Sequence, residues 1–498
     1  MNRTPKAALA AVALLCLTAC GGGSSAPGPV PLTEASLSAP VEALQVSGDP
    51  ANRINLVLLG DGYREADQAK LTQDARAWLA AFRQTAPFSN YANYFNIKLV
   101  HLVSAEDGAA NGMHGLGTPR ATVLGATFQN ANPAGQAPDY RLLVVDNARA
   151  LAVALARAPE CTRVLVLVND TNYGGSGGTI PVFSANPASC AIALHEFGHA
   201  FGGLADEYAC GDTSPLPASL EAFPNVTAQP GSIKWAAWIN PGTPLPTPAF
   251  CPDLGLFEGA YYHDTGVFRP RPSCRMRCLT DTFCEVCSEA IVRSIYNQVR
   301  PVDTLTADGG TLTLTRPVPL PDTFRIAWTV DGEAAGTGDR LTLPAGTHQV
   351  SARVVDATPL VRTGADRLAD VRTWTSGGAS VQADVLPARH RVVQVIRTPA
   401  GFQVAGETIV DLPLPAEPDT PAWTVSAVDP EGRMLFRAGI EDPTLLRGEF
   451  QHAEATDRIQ GSRLDGSRPV SFLVRLPVIE ADHLEVAANP GPRHPTPD

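Results

Sequence analysis

The sequence predicts an α/β (α+β) domain built on a twisted mixed sheet, followed by two all-β sandwich-like modules. Three observations predict it. Residues 49–300 alternate strand-like apolar runs with helix-like segments. From about residue 301, short period-2 runs separated by Gly/Pro turns take over. The 43 Gly and 44 Pro among 498 residues suit many turns and a large β component rather than helical bundles. A chain of this length divides into roughly two to four domains.

The first 20 residues read as a targeting signal. Arg3 and Lys6 precede the apolar run from Ala7 to Leu17, which is too short to span a bilayer. Leu17-Thr18-Ala19-Cys20 follows and resembles a bacterial lipoprotein lipobox. The resemblance implies that Cys20 is the lipidated first residue of the mature chain, anchored in a membrane. Gly21 in place of Asp implies outer-membrane sorting in a Gram-negative envelope, with plain secretion as the alternative. Residues 21–48 read as a Gly/Ser/Pro tether.

Residues 49–300 form the first folded unit. Arg53 to Leu59 is a buried strand, ended by Gly60-Asp61-Gly62-Tyr63. Glu65 to Gln84 is a helix, with Leu71, Ala75, Trp78, Leu79 and Phe82 on one face. Phe95 to Val103, Arg141 to Asp146 and Thr162 to Val168 are further strands, with an Ala-rich helix ending near Ala158. Near-continuous apolar strands of this kind belong to a sheet covered on both faces. Asn172 to Gly178 reads as a Gly-rich loop, and Thr179 to Ser184, which contains Pro181, as an edge strand. An edge strand has unpaired backbone groups and can take up an extended peptide. Phe283 to Val299 reads as the helix that closes the unit.

Residues 301–390 form the first β module, with strands over 325–332 and 348–356. Residues 391–498 form the second, with strands over 423–428 and 472–476 and a frayed Pro-rich tail from Asn489. A surface ligand is a natural partner for such modules. Net charge is −12 and no long basic run is present, which argues against nucleic acid as a partner.

The chemistry concentrates at His195-Glu196-Phe197-Gly198-His199, an H-E-x-x-H motif inside an apolar helical run. His195 and His199 fall one turn apart on one helix face and can share a Zn²⁺ ion. Glu196 is then placed as general base toward a water on that metal. Gly202-Gly203 lets the chain leave the helix and turn back. A catalytic zinc takes three protein ligands and keeps one position open. Asp206 is the expected third ligand, Glu207 the next choice and the distant Glu289 a further one. The leftover acid would orient a ligand histidine. Tyr208, Tyr261, Tyr262 and His263 are candidates to stabilise the transition state.

The stretch from His195 to Tyr208 resembles the signature of the bacterial IgA peptidase family of metallopeptidases, in the metzincin clan. Leu59-Gly60-Asp61-Gly62-Tyr63, Phe95-Asn96-Ile97, Gly259-Ala260-Tyr261-Tyr262 with Phe268-Arg269-Pro270, and Cys274-Arg275-Met276-Arg277 with Phe283-Cys284-Glu285-Val286-Cys287 are similar to the same family, in its order. The resemblance covers roughly residues 50–300. It implies a metzincin-like zinc endopeptidase that cleaves protein or peptide substrates, with Met276 in the methionine turn beneath the metal. In the commonest metzincin spacing the third ligand falls at position 205. Here that residue is Ala205, and the two acids follow it.

Two other function classes fit the same residues. One is a catalytically inactive adhesion or scaffold lipoprotein. The other is a zinc amidase acting on cell-wall peptides. Beyond Cys16 and Cys20 the chain has Cys161, Cys190, Cys210, Cys251, Cys274, Cys278, Cys284 and Cys287. Export makes disulfides the expectation. Cys274, Cys278, Cys284 and Cys287 also carry metal-like spacing, so a structural zinc or redox site is the alternative there.

Overall fold

The computed structural model describes residues 32–130, 139–217, 219–308, 310–376, 389–398, 401–415, 417, 421–450, 458–463, 470–479 and 481–489. Cys20 and the targeting segment lie outside the described residues. In chain order the first unit comprises α1 (Glu34–Leu37), β1 (Val41–Gln45), β2 (Ile54–Asp61), α2 (Gln68–Gln84), β3 (Phe95–Val100), β4 (Thr127–Gln129), β5 (Leu142–Val144) and α3 (Asn147–Arg157). It continues with β6 (Arg163–Val168), β7 (Gly175–Gly178), β8 (Val182–Ser184), α4 (Ser189–Gly202), β9 (Phe257–Ala260), β10 (His263–Arg269) and α5 (Glu285–Tyr296).

The main sheet is mixed and runs β1-β3-β2-β6-β8-β7. The β3-β2-β6-β8 core is parallel, while β1 lies antiparallel to β3 and β7 antiparallel to β8. Every residue of β2 is buried, and its side chains alternate between two cores. Ile54, Leu56 and Leu58 face one core, with α2, α4 and α5. Val57 and Leu59 face the other, with α3. A sheet covered on both faces needs such uninterrupted apolar strands. The apolar face of α2 is buried at all five positions that its spacing marks. Asp146 caps α3, its Oδ1 accepting from the backbone N–H groups of Ala148 and Arg149 at 2.9 and 3.2 Å.

Three expectations change here. Part of the stretch read as a tether is folded, since Val41–Gln45 pairs with β3. The Pro-containing strand after the glycines is not an edge: β8 is flanked by β6 and β7. Beyond β8 lies β7, Gly175-Ser176-Gly177-Gly178, a strand inside the stretch read as a Gly-rich loop. Glycine carries no apolar side chain, so periodicity gave that segment no strand signal.

After α5 the chain forms small antiparallel sheets in pairs. A three-stranded and a four-stranded sheet over 304–375 share a core of Leu312, Leu314, Ile326, Trp328, Val350 and Val354. Two three-stranded sheets over 390–488 share a core that includes Val393, Val425, Phe472 and Val474. Between the strands of the second pair, Leu445–Phe450 and Arg458–Arg463 form a hairpin. Its first strand pairs antiparallel with β7, with Arg447 opposite Gly177. The main sheet therefore borrows strands from the C-terminal region.

The first β module is bolted to the first unit by buried polar contacts. Asp356 accepts from the Tyr91 and Tyr296 hydroxyls, each at 2.7 Å. Arg53 forms a two-point ion pair with Asp303 at 2.6 and 2.8 Å. No helix among the described residues is long and apolar enough to cross a membrane.

Candidate metal centre

Helix α4 is buried along most of its length, so its histidines stand in the interior rather than on a wet face. It ends at Gly203, whose φ of +62° is the left-handed conformation that glycine adopts without Cβ strain. The Gly203 N–H bonds the His199 carbonyl at 3.0 Å and the Leu204 N–H bonds that of Gly198 at 3.4 Å. This turn sends the chain back along the helix and brings Asp206 to the two imidazoles.

His195 Nε2 and His199 Nε2 are 3.0 Å apart, and Asp206 Oδ1 is 3.2 and 3.1 Å from them. All three side chains are buried. Two ligand atoms about 2.0–2.1 Å from a tetrahedral zinc stand about 3.3 Å apart, so this donor set fits such an ion. The tautomers fit as well. His195 Nδ1 donates to the Arg275 carbonyl at 2.9 Å, and His199 Nδ1 to the Leu204 carbonyl at 2.7 Å. Both Nε2 lone pairs are thereby left facing the common point. Burial works against charge on Asp206, but the adjoining His199 and His195 rings outweigh it and hold the carboxyl well below its usual range. Burial likewise opposes charge on His195, and Asp206 outweighs it, raising that imidazole.

Asp206 is itself held from several sides. The Tyr262 hydroxyl donates to Asp206 Oδ2. The Tyr261 N–H bonds the Asp206 carbonyl at 3.1 Å, and the Tyr262 N–H bonds that of Tyr208 at 2.9 Å. Tyr261 and Tyr262 both have positive φ, +47° and +69°. Non-glycine residues in that region mark a backbone whose surroundings over-determine it. Asn225, which no sequence signal singled out, clamps the residue before Asp206. Its side chain accepts from the Ala205 N–H and donates to the Ala205 carbonyl, both at 2.8 Å.

Glu196 follows His195 on the same helix and is fully buried. Its carboxylate lies against the backbone of β7. A Cβ built on Gly177 would come 1.5 Å from Glu196 Oε2. Met276 is also fully buried, with its sulfur against Gly198, between the two histidines. Its carbonyl accepts from the Glu207 N–H at 2.7 Å.

The other sequence candidates are placed elsewhere. Glu207 is fully buried but faces Cys287 and Asn225. Glu289 accepts from the Trp238 indole and from the Thr363 N–H and hydroxyl, so it ties α5 to the loop before the first β module's last strand. The Tyr208 ring is buried against Tyr262, and Tyr261 packs on Phe223. His263 sets its two ring nitrogens on the Tyr261 and Ser214 carbonyls at 2.7 and 2.8 Å. The expected disulfides are absent among the described residues: none of their eight cysteines is disulfide-bonded. The sulfurs of Cys274 and Cys287 are 3.7 Å apart, well beyond a bond of about 2.05 Å.

A buried H-E-x-x-H helix, a returning acid and a methionine beneath them on a mixed α+β sheet define a peptidase scaffold. The sequence profile described as IgA Peptidase M64 matches residues 42–253 and 249–295, about half of the chain. The chain belongs to the IgA peptidase M64 family. No curated protein matches it.

Proposed function

We propose that this chain is a zinc-dependent endopeptidase of the metzincin type that hydrolyses extracellular or periplasmic proteins. The observation that carries this reading is the convergence of His195 Nε2, His199 Nε2 and Asp206 Oδ1 within 3.2 Å of one another. These three residues would hold the ion. When bound, zinc there supplies a Lewis acid for the scissile carbonyl and lowers the pKa of a water toward ~7. Glu196 is the general base. Its carboxylate takes a proton from the attacking water and gives it to the amine nitrogen of the departing peptide. Asp206 holds both imidazoles in place, and the Tyr262 hydroxyl orients Asp206 rather than acting on substrate. Met276 fills the floor under α4, the role of a methionine turn.

Substrate would lie along β7, because Glu196 abuts Gly177. An extended peptide pairing with that strand has its scissile bond presented to the carboxylate. The 445–450 strand now takes that edge. The Leu17-Thr18-Ala19-Cys20 stretch supports attachment to the cell envelope through lipid on Cys20.

The deciding experiment uses purified chain and casein. Cleavage is expected, abolished by a chelator and restored by Zn²⁺. Glu196→Ala should keep the metal and lose ~10²–10⁴-fold in rate. Cleavage that survives full metal removal would overturn the reading.

A further inference from the structure

The cysteines that sequence spacing groups together do not all assemble. Cys278 stays apart, its sulfur 3.2 Å from the Thr280 hydroxyl. Cys274, Cys284 and Cys287 instead meet Glu207, each offering one ligand atom within 4.8 Å of the others. All four are at most 6% exposed. Cys274 and Cys287 stand 3.7 Å apart, sulfur to sulfur. Two thiolates about 2.3 Å from a tetrahedral zinc are separated by about 3.8 Å. Cys287 Sγ is 3.1 Å from Glu207 Oε1. The other carboxylate oxygen, Oε2, is buried and has no hydrogen-bond partner among the described residues. An orphaned acceptor in the interior is costly, and a cation beside it removes the cost.

Burial pushes the Cys274 and Cys287 thiols up, and the start of α5 works the other way. Cys284 is the N-cap of α5 and Cys287 lies in its first turn, where the helix dipole favours negative charge. The Cys284 N–H donates to Cys274 Sγ at 3.3 Å. Asn225 Nδ2 donates to Glu207 Oε1 at 2.9 Å and orients it, as a second-shell partner does for a ligand. The buried Arg269 guanidinium lies within electrostatic reach of Glu207.

We propose that Glu207, Cys274, Cys284 and Cys287 form a second, structural zinc site, separate from the His195–His199–Asp206 centre. Four protein ligands close the coordination shell and leave no position for water, as in structural zinc sites. Three soft thiolates select zinc over harder ions. Each thiol releases its proton to solvent as its sulfur binds the ion, so no oxidant is needed. The site accounts for two acids in succession: Asp206 serves one ion and Glu207 the other. It clamps the start of α5 and the Met276 turn to the segment that carries Asp206. The inference does not rest on the peptidase reading.

The test is made on the full chain. Purified without chelator, it is expected to hold about two zinc ions, measured by mass spectrometry. Stripped and refilled with Co²⁺, it should show a thiolate-to-cobalt charge-transfer band, which the His/Asp centre cannot give. His199→Ala should lose one ion and keep the band. Cys287→Ser should lose the band. Because that variant could misfold, the wild-type thiols are also titrated in denaturant without reductant. A count short of the reduced chain, with the disulfide mapped to Cys274, Cys284 or Cys287, would overturn the proposal. So would a wild-type chain with no cobalt–thiolate band. A chain that shows the band but cleaves nothing would sink the peptidase reading and leave this site standing.

Discussion

Glu196 and Gly177 touch: a single added methyl carbon at Gly177 would fall 1.5 Å from the Glu196 carboxylate. Glu196 on helix α4 and strand β7 are thus fitted to each other at one residue. Gly177→Ala is expected to push Glu196 out of position without disturbing the histidines. Cleavage should fall by ~10²-fold or more, with metal content unchanged. Loss of metal in this variant would show that the contact is not what positions the base.

Asp206 and Glu207 are neighbours that face different clusters. Asp206→Ala should release the ion at the histidines and abolish cleavage, while the cobalt–thiolate band persists. Glu207→Gln should weaken the thiolate site and leave the His/Asp site filled. The opposite pattern would reverse the assignment of the two acids.

Tyr262 donates its hydroxyl to Asp206, so Tyr262→Phe removes that hydrogen bond and no ligand. Metal affinity is expected to drop by ~10-fold, and cleavage with it when zinc is limiting. Full activity should return at saturating zinc. A rate that stays low at saturating zinc would instead put the hydroxyl on the substrate.

The 445–450 strand sits on the β7 edge where substrate would pair. Replacing residues 445–463 by a short Gly/Ser connection should lower KM for an extended peptide. An unchanged KM would place the substrate path elsewhere.

Asp356 holds two buried tyrosine hydroxyls, those of Tyr91 and Tyr296. Asp356→Ala removes the shared acceptor, leaving the Tyr296 hydroxyl, among the described residues, only that of Tyr94 at 2.8 Å, and should destabilise the fold by on the order of 3 kcal/mol, seen as a lower denaturant midpoint. A midpoint within error of the parent would show that the hydroxyls find other partners.

The sequence by itself determined the local chemistry and the parts of the fold that repeat with a period. His195, Glu196 and His199 are one helical turn of information, and the turn at Gly203 is written in its lack of a side chain. The buried strands β2, β3 and β6 and the face of α2 follow from apolar spacing alone. Tertiary structure decided what depends on distance through space. Spacing could not choose among Asp206, Glu207 and Glu289, because each is near in sequence or reachable by folding. The return past Gly203, the Asn225 clamp and the Tyr261–Tyr262 loop bring Asp206 alone to the histidines. The polyglycine strand β7 left no periodic trace, and its pairing with residues 445–450 links segments more than 250 residues apart. Of the four closely spaced cysteines, three gather with an acid from another loop, since side-chain direction, not sequence interval, sets which atoms meet.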